Sequence, residues 1–169
     1  MTAPEIDHLA LTKRDVATWS HPLGRHHNWP VVYTLNDQRK VYVGETINAA
    51  SRLRQHFDND EKRGLNARVI IDDRFNKSVC LDLESFLIRL FAGDGRFEAL
   101  NRNEDITDAD YFDRHRYRRA FTEVFEALRA EGLFSRSIKD IENDDLFKLS
   151  PFKSLNEEQG IAVDGIVDD

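Results

Sequence analysis

The sequence of 169 residues contains a single cysteine, Cys80, and only four prolines. One cysteine excludes an internal disulfide and a cysteine-rich zinc site, so we expect a cytoplasmic protein. No run of residues approaches the ~20 consecutive apolar side chains that a membrane-spanning helix requires. The first residues, M-T-A-P-E-I-D-H, also lack the basic and then apolar segments of a signal peptide. We therefore expect no association with a membrane.

The sequence also contains fewer basic than acidic residues. The chain has 24 Lys and Arg against 31 Asp and Glu, a net charge of −7, which by itself disfavours a nucleic-acid partner. The charge is unevenly distributed, however. Residues 30–77 carry nine basic and seven acidic side chains, whereas residues 138–169 carry three and nine. The acidity lies mostly in the C-terminal segment, and residues 30–77 remain compatible with a polyanionic partner.

The remaining composition, 40% hydrophobic and 33% charged, is typical of a globular protein, and the length suits one domain with a hydrophobic core. Two β-branched segments, P-V-V-Y-T-L and K-V-Y-V-G-E, are separated by N-D-Q-R and predict a β-hairpin. The segment N-A-R-V-I-I, residues 66–71, predicts a third strand.

Apolar residues return at helical spacing in three further places. The first predicted helix begins at Thr46, whose hydroxyl can cap it, and the second covers residues 78–92. A third follows Thr107, which resembles a capping box with Asp110, and it ends at Gly132. The order β-β-α-β-α-α predicts an α+β fold in which helices flank a small, mostly antiparallel, three-stranded sheet.

These patterns divide the chain into three parts. Residues 1–29 form an N-terminal extension, residues 30–137 form the predicted domain, and residues 138–169 form an acidic tail. The tail starts a new apolar pattern that stops abruptly, as though a further domain begins there.

Glu84 is a carboxylate on the apolar stripe of the second helix. The other members of this stripe, spaced to share its face, are Cys80, Leu87 and Phe91. The polar residues that we expect on the solvated side are Asp82, Ser85 and Arg89. A buried carboxylate is costly unless it is paired or binds a metal. One interpretation is an ion pair with an arginine, and the other is Mg²⁺ held by this carboxylate, water and a phosphate oxygen.

Four further side chains suit phosphate chemistry. Arg52 and His56 lie four residues apart on a helix and point to one spot, where arginine can bind a phosphate and histidine can move a proton. Tyr33 and Tyr42 flank the hairpin turn, and Gly44 allows a substrate or a helix backbone to approach closely. The alternatives are a solvated polar helix face and ordinary strand aromatics.

Together these residues resemble the GIY-YIG nucleases. The resemblance covers residues 30–103 and consists of V-V-Y, Y-V-G, an arginine ten residues after Tyr42, a histidine fourteen after it, and the helical glutamate. The sequence departs from the family at Val31-Val32, where Gly-Ile is common, and at Glu45, where many members have lysine or another polar residue. Our match for the family's asparagine is Asn101, and Asn103 is the alternative.

The resemblance implies a phosphodiesterase that depends on Mg²⁺ or Mn²⁺ and acts on DNA, with RNA as an alternative. Glu84 would hold the metal and Arg52 would neutralise charge on the phosphate. Tyr33 or Tyr42 would deprotonate or orient the attacking water, provided that a cation and His56 lower the pKa of the phenol. A catalytically silent domain that binds nucleic acid or a partner protein is the alternative function.

A narrower resemblance extends this one into the tail. The segments Y-V-G-E-T-I-N, R-L-R-Q-H, F-N-K-S-V-C-L-D-L-E-S-F-L-I and L-N-R-N are similar to the N-terminal domain of bacterial schlafen-like nuclease–helicase proteins. In the tail, Phe152, Leu155, Gln159 and Ala162 resemble the adenine-reading Q motif of superfamily 1 helicases. No G-x-x-x-x-G-K-[ST] follows. The resemblance implies a helicase domain in a longer chain, and an ordinary C-terminal helix is the alternative.

Two other clusters favour simpler interpretations. His21, His26 and His27 have no cysteine beside them and indicate a polar loop rather than a zinc site. The segment R-H-R-Y-R-R, residues 114–119, begins an amphipathic helix and follows several aspartates, so we interpret it as a solvated helix face.

Overall fold

A computed structural model describes residues 3–101 and 110–144. Its strands are β1 Glu5–Ala10, β2 Val31–Asn36, β3 Lys40–Thr46, β4 Asn66–Ile71 and β5 Glu98–Ala99. Its helices are α1 Lys13–Thr18, α2 Ala49–Phe57, α3 Lys77–Asp94, α4 Arg118–Ala130 and α5 Ile138–Glu142, with a short 3-10 helix at Arg114–Tyr117.

The strands form one mixed sheet in the order β1-β4-β2-β3-β5, which confirms the α+β prediction. The three predicted strands, β2, β3 and β4, are antiparallel neighbours at its centre. The prediction of only three strands was incomplete, because β1 pairs with β4 at one edge and β5 runs parallel to β3 at the other. The segment 1–29, interpreted as an extension, therefore contributes an edge strand and the helix α1.

Alternation along β2 separates two hydrophobic clusters, one on each face of the sheet. Val32 packs with α3 and α4 on one face. Val31, Tyr33 and Leu35 pack with α1 and α2 on the other. All six residues of β2 are buried, because the strand is central and both its faces are covered.

The helix α2 begins later than the sequence suggested. Thr46 still belongs to β3, and the N-cap is Asn48, whose side chain accepts a hydrogen bond from the Ser51 backbone N–H at 3.1 Å. The Thr46 hydroxyl instead accepts from the backbone N–H of Asn48 at 3.0 Å. Thr and Asn are both common N-cap residues, and Asn48, which directly precedes the first helical residue, is the N-cap here.

The helix α3 lies within two residues of its predicted bounds, but its polar residues are not solvated. All three residues expected on the solvated side are buried: Asp82, Ser85 and Arg89. The reason is that α3 lies between the sheet and the segment containing α4, so neither side of the helix faces water. Asp82 is satisfied there by Tyr111 and by an ion pair with Arg114.

The third predicted helix corresponds to α4, and its apolar stripe packs in the same cluster as α3. Thr107 and Asn103 lie outside the described residues, as do the tail positions compared with a Q motif, because the description ends at residue 144. Within residues 3–101 and 110–144, no helix combines the length and the apolar character that crossing a membrane would take.

Candidate active site

Tyr33 is the centre of the candidate site. It lies in the middle of β2, is 1% exposed, and its side chain points toward α2. Its hydroxyl is 2.7 Å from Nε2 of His56 and accepts a hydrogen bond from Nε of Arg52 at 3.3 Å. The spacing of Arg52 and His56 along α2 thus directs both side chains to one phenol, as four-residue spacing predicts.

Gly44 is required by Tyr33 itself. The two residues pair directly across β2 and β3. A Cβ atom at position 44 would lie 2.4 Å from both Cζ and the hydroxyl oxygen of Tyr33. We expected Gly44 to admit a substrate or a helix backbone, and the structure corrects this: the group that approaches closely is the phenol of the neighbouring strand.

Tyr42 completes an aromatic cluster on the same face. Its ring centroid lies 6.3 Å from that of Tyr33 and 5.4 Å from that of His56. Tyr42 also forms a side-chain hydrogen bond with Arg52. Tyr42 and Arg52 are half-buried, whereas Tyr33 and His56 lie behind them and are buried. The four residues therefore converge, with two members at the surface and two in the interior.

Lys62 is a member of this cluster that the sequence did not reveal. Its Nζ lies 4.5 Å from the ring centroid of Tyr42, in a cation–π contact. Its charge also acts on His56. Lys62 comes from the turn after α2, in a segment of mixed charge with no motif, so only the fold places it here.

Electrostatics fix the resting protonation of the site. Burial, then the positive charges of Arg52 and Lys62, lower the pKa of His56 to about 4. Burial and the neighbouring Tyr42 raise the pKa of Tyr33 well above its ordinary value, and the opposing effect of Arg52 is smaller. At neutral pH the phenol is therefore protonated, and it shares a hydrogen bond with a neutral imidazole. A tyrosine that acts as a base requires a cation and His56 to lower the pKa of the phenol, and among the charged groups of this chain burial outweighs the lowering by Arg52.

Arg52 keeps its charge firmly. Burial alone would lower the pKa of its guanidinium, but the hydrogen bonds with Tyr33 and Tyr42 outweigh this effect and raise it. The same side chain donates to Oε1 of Gln55 at 2.9 Å. A fixed, half-exposed guanidinium beside two phenols is suited to binding a phosphate.

Glu84 lies on α3 and is 9% exposed, as its apolar stripe predicted. Its negative charge contributes to the raised pKa of Tyr33, so it acts electrostatically on the same cluster. Within the described residues no three His, Cys, Asp or Glu side chains are grouped to hold a metal ion. The donor set fits Mg²⁺ or Mn²⁺ bound by one carboxylate, with water and substrate oxygens as the other ligands.

Asn101 is buried, and its side chain binds the backbone of β3. Its Oδ1 accepts from the backbone N–H of Val43 at 2.9 Å, and its Nδ2 donates to the carbonyl of the same residue at 2.7 Å. The side chain of Asn101 thus continues the hydrogen bonding between β5 and β3 beyond the end of β5, at the residue before Gly44.

Glu45, one of the departures from the family, has a cation beside it. Both of its carboxylate oxygens accept from Nζ of Lys77 at 2.6 Å. Lys77 is the first residue of α3, so the carboxylate at position 45 forms an ion pair with the start of that helix.

The chain matches no family model, no curated protein and no solved structure among those compared.

Proposed function

We propose that this chain hydrolyses phosphodiester bonds in DNA as a nuclease of the GIY-YIG type that depends on a divalent metal. The observation that supports this most is the hydrogen-bonded group of Arg52, Tyr33 and His56. Tyr42 packs against this group on its half-exposed side. Packing alone does not require a guanidinium, two phenols and an imidazole on one face of a sheet.

Tyr33 is the phenol proposed to move the proton. Its hydroxyl lies 2.7 Å from Nε2 of His56, which accepts a proton when the imidazole carries its own proton on Nδ1. As a water attacks phosphorus, its proton passes to the Tyr33 oxygen while the Tyr33 proton passes to His56. Burial is the largest cause of the low pKa of His56, and the charges of Arg52 and Lys62 add to it. A phosphodiester bound beside these two cations offsets their charge. Substrate binding therefore raises the basicity of the imidazole when it is needed.

Arg52 and Tyr42 are proposed to contact the scissile phosphate, because they are the half-exposed members of the cluster. The guanidinium stabilises the negative charge that develops on the phosphate oxygens. Glu84 would hold Mg²⁺ or Mn²⁺, which when bound stabilises charge on the leaving oxygen. Asn101 is proposed to position Gly44 and Tyr33 through its hydrogen bonds to the backbone of β3.

A nuclease joined to a helicase in one chain, working in the cytoplasm, is the setting that we propose from the resemblance of the tail. DNA is the proposed substrate and RNA is the alternative. A second candidate function is a catalytically silent domain that binds nucleic acid or a partner protein. The raised pKa of Tyr33 favours this candidate, because a protonated phenol is a poor base in the resting protein.

The decisive experiment is nicking of supercoiled plasmid with Mg²⁺ or Mn²⁺, by the unaltered protein and by the Glu84→Gln variant. We expect Glu84→Gln to lower the rate by at least about 100-fold, comparable to the loss of one group that stabilises the transition state. Its thermal unfolding without metal should change little, because glutamine keeps the size of the side chain. Glu126→Gln, on the exposed face of α4, is the matched control and should cleave normally.

Plasmid that stays intact with either metal would favour the binding-only function. A large fall in melting temperature for Glu84→Gln would instead indicate that Glu84 is a structural partner.

A further inference from the structure

Lys62 is a half-buried cation in the turn between α2 and β4. Its Nζ lies 4.5 Å from the ring centroid of Tyr42, in the candidate active site. Across residues 3–101 and 110–144, no carboxylate forms an ion pair with this ammonium, and no acceptor receives a hydrogen bond from it. A cation that is partly removed from water without a countercharge is costly, which indicates a role in binding.

The turn around Lys62 is fixed by the core and by α2. The backbone N–H of Leu65 donates to the carbonyl of Lys62 at 3.2 Å, and the N–H of Leu11 donates to the carbonyl of Leu65 at 2.8 Å. Leu65 itself is buried. From the next position along the turn, Nε of Arg63 donates to the carbonyl of Phe57, the last residue of α2, at 2.9 Å. The fold therefore holds this backbone beside the phenol cluster before any ligand binds.

Arg52 is the second cation of this site. It forms a hydrogen bond with the hydroxyl of Tyr42, and its Nε donates to the hydroxyl of Tyr33 at 3.3 Å. Lys62 contacts the ring of Tyr42, so the two cations meet the same side chain at different points. Arg52 also forms no ion pair with a carboxylate of the described residues. After burial, the charges of both cations are what lower the pKa of His56, so both lie near it.

These two cations differ from the half-buried arginines elsewhere in the described part of the chain. Each of those has a carboxylate partner: Arg25 with Asp73, Arg68 with Glu131, Arg74 with Asp72, Arg114 with Asp82 and Arg136 with Asp144. Glu84 contributes one negative charge to the phenol cluster, through its effect on Tyr33. The site therefore has positive charge left for an anion, although the chain as a whole is acidic.

We propose that Arg52 and Lys62 form a phosphate-binding site around Tyr42, in which Arg52 holds the scissile phosphate and Lys62 holds a neighbouring phosphate of the same strand. Arg52 is assigned the reacting phosphate because it also donates to Tyr33, the proposed proton carrier. Lys62 contacts the outer phenol, so we assign it the next phosphate along the backbone. The inference rests on the proposed function, because it adds a substrate-binding residue to the proposed nuclease.

Lys62 can bind a phosphate without losing an ion pair. Lys77 provides the contrast, because its Nζ binds both carboxylate oxygens of Glu45 at 2.6 Å and would have to leave them. The contact between an ammonium and an aromatic ring is weak at a surface, and the three N–H groups of the ammonium can still donate to a phosphate. Lys62 is therefore positioned for an anion in the folded protein.

The first test measures DNA binding by fluorescence anisotropy, with a labelled duplex of about 20 base pairs, without divalent metal and at several salt concentrations. Lys62→Gln should weaken binding about 3- to 30-fold and reduce the slope of log K against log salt by about 0.9, the value for one phosphate contact. Lys62→Arg keeps the charge and should remain within about threefold of the unaltered protein. Lys139→Gln removes the same charge from an exposed position on α5 and should change the affinity less than about twofold.

Plasmid nicking separates binding from catalysis. Lys62→Gln should raise KM about 3- to 30-fold while kcat changes less than about threefold, because a neighbouring phosphate is held equally in the ground and transition states. Arg52→Gln should instead lower kcat at least about tenfold, since it removes charge stabilisation at the reacting phosphate. The melting temperature of Lys62→Gln should stay within about 2 °C of that of the unaltered protein.

Unchanged affinity and salt slope for Lys62→Gln would overturn the inference, and so would a fall in kcat with KM unchanged. A loss of binding that accompanies a large fall in melting temperature, and that Lys62→Arg does not restore, would identify a purely structural contact with Tyr42 and would also overturn it. If the unaltered protein nicks plasmid and Lys62→Gln binds DNA normally, the inference fails and the proposed function stands. If DNA binding depends on Lys62 but neither metal supports nicking, the phosphate contact stands and the nuclease function fails. If the unaltered protein neither binds nor nicks DNA, both fail.

Discussion

Tyr33 shows how a single register determines the chemistry of a site. Its pairing with Gly44 leaves a space above β3, and the phenol fills that space and reaches His56. A shift of one residue would turn Tyr33 to the opposite face of the sheet, toward α3. The candidate site therefore depends on strand pairing as much as on the identity of its side chains.

The Gly44→Ala variant tests this close packing. The added methyl group would overlap the ring of Tyr33, so we expect a loss of about 1–3 kcal/mol in the free energy of unfolding and a displaced phenol. Urea unfolding measures the loss, and plasmid nicking should fall with it. In a Tyr33→Ala background the same substitution should cost almost nothing. An equal cost in both backgrounds would show that the ring does not set the requirement for glycine.

His56 predicts a pH dependence of stability. The folded pKa is about 4 and the ordinary value is 6.5, so between these values the unfolded chain binds a proton that the folded chain does not. Stability from this group is complete above pH ~6.5 and is lost as the pH falls toward ~4, by roughly 2 kcal/mol after allowance for screening. His56→Gln keeps an acceptor for Tyr33 but does not titrate. The free energy of unfolding of the unaltered protein should therefore fall relative to that of the variant as the pH is lowered from ~6.5 to ~4. If His56 is instead protonated in the folded protein at pH 6, the two proteins should show the same dependence on pH across this range.

The convergence of residues that are close along the chain could be predicted from the sequence. Arg52 and His56 are one helical turn apart, and Tyr33 and Tyr42 lie on one hairpin, so their convergence follows from short-range geometry. Lys62 was out of reach, because its contact with Tyr42 depends on how the chain turns after α2. The direction of the Tyr33 pKa shift was also out of reach, since burial dominates it and burial depends on the whole fold.

At the level of elements, the long periodic segments were predictable and the short edges were not. The strand β1 reads E-I-D-H-L-A, with two acidic residues and a histidine, and only its pairing with β4 makes it a strand. The strand β5 has two residues, too few for any pattern. Asp82 on α3 looks solvated in sequence because its partner, Arg114, is 32 residues away.

Asn101 provides the element-scale prediction, because its side chain holds β3 where β5 is too short to do so. Asn101→Ala leaves the backbone N–H and carbonyl of Val43 without these partners in a buried setting. We expect it to lower the free energy of unfolding by about 2–4 kcal/mol. Asn59→Ala removes an exposed side-chain acceptor for the Glu61 backbone and should cost less than about 0.5 kcal/mol. A variant at position 101 that is fully stable but inactive would return this residue to a direct catalytic role.

At the scale of the whole molecule, two hydrophobic clusters stabilise the fold from opposite faces of the sheet. The cluster beside α3 includes Leu133, Phe134 and Ile141, so the chain contributes to the core as far as α5. Arg136 strengthens this junction, since it donates to the carbonyl of Gly93 at 2.9 Å and to the carboxylate of Asp144 at 2.7 Å. Among the described residues, the core therefore extends as far as α5.

The last prediction concerns the chain beyond α5. A chain that stops at residue 149 keeps every described member of both clusters, so its melting temperature should lie within about 2 °C of that of the full chain, and plasmid nicking should be nearly unchanged. A chain that stops at Gly132 loses Leu133, Phe134 and Ile141 from the core and should unfold at room temperature or melt far lower. Calorimetry on the three proteins makes the comparison. If the chain ending at residue 149 unfolds like the shorter one, the tail is part of the core, and its resemblance to a helicase Q motif is accidental.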